Sequence, residues 1–225
     1  MPARALRLVP VVLLPLLLVL PGCKLARERY YKALEKVGIE KRELLVSRVD
    51  KARESQVAAQ EQFKDALEQF QAVVGYHGGD LEAMYGKLAS EYEASARHAA
   101  EVHDRIGKVE HVATSLFEEW QREIGQYQDA ELRRESEREL AATRDRYRQV
   151  LVAMQRSAKS MDPVLTRLHD QVLFLKHNLN ARALGSLSGT AKNLEVEIGG
   201  LLAQMQASIA EADRFIAEMK AKPSS

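Results

Sequence analysis

The chain has 225 residues, with 33 Lys+Arg against 32 Asp+Glu, a formal charge of +1. Such balanced and interleaved charge lacks the basic stripe of a nucleic-acid binder, so no nucleic-acid partner is expected. A single cysteine excludes an internal disulfide framework, and 46% hydrophobic residues suffice for a packed core.

The first element is an export signal. Arg4 and Arg7 precede an apolar run from Leu8 to Leu20, interrupted by Pro10 and Pro15. A membrane-spanning helix needs ~20 apolar residues, so this run reads as a cleaved signal instead. It closes on Leu20-Pro21-Gly22-Cys23, which resembles the bacterial lipobox, with Pro21 departing from the usual small residue. The resemblance implies a signal peptide over 1–22, lipidation of Cys23 and a short tether over 23–29. Two or more acyl chains anchor stably, at ~0.8 kcal/mol per buried methylene, where one chain does not. It also implies a periplasm-facing protein of the bacterial envelope. Lys24 stands where an aspartate usually directs inner-membrane retention, which points to the outer membrane. Loss of Arg4 and Arg7 leaves 33 − 2 = 31 basic residues against 32 acidic, so the mature body carries −1.

From Leu45 a seven-residue beat begins: Leu45, Val49, Ala52, Gln56, Ala59, Phe63, Ala66, Phe70 and Val73. A second run follows as Leu81, Tyr85, Leu88, Tyr92, Ser95, Ala99, Val102, Ile106, Val109, Ala113, Leu116 and Trp120. Steps of four and three average 3.5 residues, which keeps one apolar seam on one helix face. Strands would alternate by two, and that pattern is absent.

Between the runs lies Gly75-Tyr76-His77-Gly78-Gly79-Asp80. Gly75 is expected to end the first helix in the left-handed conformation and Asp80 to cap the second. So short a connection makes the helices antiparallel neighbours, with paired numbers adding to about 154. Phe63 then faces Tyr92, Ala59 faces Ser95, and Gln56 falls near His98 as a polar pair at the seam edge. Tyr76 and His77, at the tip, are candidates for contact with a partner or a membrane surface, set against a turn chosen only for its backbone geometry.

Weaker breaking signals span 125–130, where Asp129 is placed to cap a helix from about Ala130, although a continuous helix also fits. The beat resumes as Leu140, Thr143, Tyr147, Val150, Met154 and Ala158. Ser160-Met161-Asp162-Pro163 predicts a boundary, with Asp162 as cap and Pro163 in the first helical position. The last run comprises Leu165, Leu168, Val172, Leu175 and Leu179, then Leu187 through Met205, and on to Met219. Gly185, Gly189 and Gly199-Gly200 weaken it locally. The expected fold is all-α: an elongated antiparallel coiled-coil bundle of three to four long helices over 30–220, fraying over 221–225.

Three separated segments, Glu35–Arg42, Leu132–Arg138 and Phe174–Ala181, resemble a bacterial family known as domain of unknown function 2959. The resemblance covers about residues 27–219 and implies a helical lipoprotein or exported protein. It implies no activity.

Sites of chemistry are scarce. Helical di-metal bundles use Glu-x-x-His, yet Val74, Ser95, Ala100, Lys108, Thr166 and Phe174 stand three before the six histidines. No metal and no cofactor are therefore expected, and no catalytic residue. Gly185-Ser186-Leu187-Ser188-Gly189-Thr190 superficially resembles a nucleophile elbow, but helix is expected on both sides where an elbow needs a strand before it. Glu118-Glu119 reads as a solvated carboxylate pair. The sequence therefore points to a non-enzymatic scaffold, spacer or adaptor. Its partners would be the membrane, through Cys23, and an unidentified envelope protein, with a homo-oligomer left open. The alternative is an accessory subunit of an envelope transport or stress-response system. A bundle metalloenzyme or hydrolase is disfavoured. Cys23→Ala is expected to abolish labelling by a clickable fatty acid fed to the bacterium; equal label on both forms would refute the anchor.

Overall fold

The computed structural model describes residues 40–76, 78 and 80–221, apart from the side chains of 181–183. The signal, Cys23, the tether, His77 and residues 222–225 lie outside the described residues. Four helices follow in order: α1 (Lys41–Val74), α2 (Leu81–Ile124), α3 (Ala130–His177) and α4 (Ala181–Ala221). The fold is all-α. At ~1.5 Å per residue, the 34 residues of α1 span ~51 Å and the 48 of α3 span ~72 Å.

Each helix packs on two neighbours: α1 on α2, α2 on α3, α3 on α4, and α4 back on α1. Cross-helix bonds show that every neighbouring pair is antiparallel. Gln62 donates to Glu91 at 2.6 Å between α1 and α2, one position from the register expected of the hairpin. Between α1 and α4, Arg42 donates to the Met219 carbonyl and Gln60 to the Leu202 carbonyl. His103 lies 3.5 Å from Asp162 between α2 and α3, and Arg167 lies 2.8 Å from Glu197 between α3 and α4.

The seven-residue seams form the core. All nine seam residues of α1, from Leu45 to Val73, are fully buried, Gln56 among them. Ala59 and Ser95 are also fully buried, as the small-on-small pairing requires. A fully buried Leu or Phe contributes about 1.5–3 kcal/mol, so the stripe on each helix is held only by its neighbours.

The ends obey capping chemistry, with corrections. Asp80 accepts from the Ala83 amide at 3.0 Å, and Asp129 accepts from those of Glu131 and Leu132. The chain therefore does break between Ile124 and Ala130. Gly75, however, is not left-handed: it sits at φ −81°, ψ 7°, and its amide bonds to the Gln71 carbonyl. Gly78 takes the positive φ of 97° and turns the chain. Gln56 does not pair with His98 either; its Oε1 accepts from Ser208 of α4, because the seam also faces the fourth helix. Past Ala113 the seam on α2 rotates, so that Phe117 and Ile124 are buried while Leu116 and Trp120 are half-buried. There α1 is only starting, with Lys41 beside Glu119, and Phe117 meets Tyr147 of α3, with ring centroids 5.4 Å apart.

No boundary occurs at 160–163. α3 runs through Pro163 and ends at His177, and the break falls at 178–180 instead. Pro163 is exposed, and so is Lys159, the residue whose carbonyl the proline ring deprives of a donor. Flanking Met161 and Val164 are buried, and their packing offsets a proline penalty of about 3 kcal/mol. Pro163→Ala should therefore raise stability by about 1–3 kcal/mol, read as a higher urea midpoint at unchanged slope. A lower midpoint would contradict this account.

Candidate functional site

Antiparallel packing gathers the α1–α2 and α3–α4 turns at one end of the bundle, away from Glu40. Tyr76 follows the last turn of α1, half-buried, its amide donating to the Val73 carbonyl at 3.2 Å. The structure thus places Tyr76 at a turn, while His77 lies outside the described residues. At the α3–α4 turn, Leu173 (47%), Phe174 (40%) and Leu179 (38%) are exposed. Asn178 Nδ2 donates to the Phe174 carbonyl at 2.9 Å and closes the last turn of α3. Leu179 was expected in the seam, but the helix has ended before it reaches the core. Leu173 and Phe174 were legible in principle, since they lie between the seam positions Val172 and Leu175 and so have no core to enter.

The opposite end carries a groove of about 400 Å³ between the start of α1 and the α2–α3 turn. Trp120, Tyr127 and Leu132 line it together with the carboxylates of Glu123, Glu135 and Glu139. Trp120 Nε1 donates to Ser136 at 2.8 Å and fixes the indole against α3. Lys41, its side chain 9% exposed, pairs with Glu119 at 2.6 Å, so Glu119 takes part in an interhelical ion pair.

The remaining candidates for chemistry are dispersed. Among the described residues no group of three His, Cys, Asp or Glu side chains is placed to hold a metal. His103 faces Asp162, His111 Nδ1 bonds to the Gly107 carbonyl, and the His169 ring lies tilted by 39° against Tyr92, with centroids 5.3 Å apart. Ser188, in the elbow-like segment, lies inside α4 and donates to the Gly185 carbonyl, the ordinary back-bond of a helical serine.

Residues 30–219 match the family described as protein of unknown function (DUF2959). The chain belongs to this family. No curated protein and no solved structure matches it. The match covers α1 to α3 and all but the last two residues of α4, and begins ten residues before Glu40.

Among the described residues of this DUF2959 chain, the titration of Tyr147 is strongly displaced. Burial, with the Glu110 carboxylate second, pushes the Tyr147 phenol up to about 12. The folded state thus holds the proton more tightly than the unfolded chain, whose tyrosine titrates near ~10. This contribution to stability is complete below pH ~10 and is lost as pH rises toward about 12. Tyr147→Phe should therefore show a shallower fall in stability than wild type across that window, measured by urea unfolding at stepped pH. Parallel curves would contradict the displaced titration.

Proposed function

We propose that this protein is a lipid-anchored envelope component that acts without catalysis, as a coiled-coil spacer or adaptor. Cys23 would carry the anchor, 17 residues before Glu40 (40 − 23). The bundle would then carry its two-turn end away from the anchored end by roughly the ~51 Å of α1.

The observation that carries this reading is the exposure of Leu173, Phe174 and Leu179 at that end, where Tyr76 also lies. Exposed apolar residues grouped together mark contact with another surface; Val57, Val152 and Val196 are exposed on the helices outside this group, and Tyr127 and Leu132 belong to the groove at the other end. Loops on a rigid scaffold are where such contact is usually made. Interiors filled by interlocking side chains suit a strut better than a reaction vessel. The partner would be another envelope protein, and membership of a transport or stress-response assembly would be one setting for the same contact.

A photo-crosslinking amino acid placed at Phe174 in the native bacterium should capture a discrete protein band. The same probe at exposed Arg148, on the outer face of α3, should capture little. Equal capture at both positions would count against the end as the contact.

A further inference from the structure

One level of the core is polar. Gln56 and Ser157 are fully buried, and Ser208 is 1% exposed. Ser208 Oγ donates to Gln56 Oε1 at 3.0 Å, closing α4 onto α1. The other end of the same amide, Gln56 Nε2, is buried without a protein partner, and so is Ser157 Oγ. Exchanging the amide oxygen and nitrogen leaves the difficulty in place, because one end of the amide still lacks a partner. Both groups thus retain the desolvation penalty of an unmet hydrogen bond.

Register along α4 sets these groups at a similar level of the bundle. Arg146–Glu218 and Arg167–Glu197 bracket Ser157 and set it level with residues 207–208 of α4. Arg53–Asp213 and Gln60–Leu202 bracket the Gln56–Ser208 bond on the other side. Three helices therefore contribute a polar side chain to one level. Two of their polar atoms, Gln56 Nε2 and Ser157 Oγ, lack a protein partner.

We propose that Gln56, Ser157 and Ser208 bind one ordered water molecule inside the bundle. Buried waters typically make about three hydrogen bonds, and three partners are present. The Gln56 amide donates to the water oxygen. The two water hydrogens reach the Ser157 and Ser208 oxygens, each of which has an acceptor lone pair. The water ties α1, α3 and α4 together at this level and gives the seams a register. A helix that slides by seven residues restores an apolar seam, but it breaks this layer and buries its polar groups against hydrocarbon.

The test is a pair of NOE and ROE spectra that select water, recorded on the purified ¹⁵N-labelled protein. The Gln56 side-chain amide, identified by its loss in Gln56→Leu, should show water cross-peaks of opposite sign in the two spectra. Ser157→Val, which fills the site, should abolish them. A folded protein whose Gln56 amide shows no such cross-peak overturns the proposal, including the case of a direct Gln56–Ser157 bond. Thermal unfolding gives the second readout. Ser157→Ala should lower Tm by about 2–4 °C in the wild-type background. In Gln56→Leu, where the hydroxyl has already lost its water, the same change should leave Tm level or raise it. An equal fall in both backgrounds refutes a shared water.

Discussion

No helix of this protein can bury its apolar stripe alone. Each stripe covers one face, and an isolated helix in water gains too little to hold its shape. The structure depends on closing four such stripes on one another, and the closure is cyclic: α4 returns to α1. That return explains why the core tolerates local faults. Pro163 and the glycines of α4 sit on outer faces, while their buried neighbours hold the helix in place.

Polar groups then decide which of several similar packings is the native one. A repeat of seven residues is close to degenerate, because sliding by one repeat restores most apolar contacts. Ion pairs at the edges, such as Arg167–Glu197 and Arg146–Glu218, are largely exposed and individually weak. Interior bonds discriminate more strongly, since a buried group without a partner has no solvent to turn to. Gln60 on the Leu202 carbonyl and Ser208 on Gln56 both join α1 to α4, the two helices most distant in the chain. They hold the closing contact of the bundle.

The surface divides by end. Tyr76, Leu173, Phe174 and Leu179 belong to the end formed by two turns: Tyr76 and Leu179 follow the ends of their helices, while Leu173 and Phe174 lie in the last turns of α3 between seam positions. The groove around Trp120 lies at the other end and has an acidic rim. Between them the faces carry paired charges one helical turn apart, including Arg105–Glu101 and Lys108–Asp104, which keep the shaft solvated.

The sequence by itself determined the helices and their buried faces, because a periodic stripe is a local property that any one helix expresses. The nine seam residues of α1, the caps at Asp80 and Asp129 and the α1–α2 pairing were legible for that reason. Tertiary structure decided what depends on a distant partner. Ser160–Pro163 has the local chemistry of a boundary, yet Met161 and Val164 pack into the bundle and the helix continues. Gln56 has a seam position but no indication of its partner, which lies 152 residues away on α4. The exposure of Leu179 likewise follows from where α3 stops against the bundle, since no local pattern encodes a core that four separate segments must assemble.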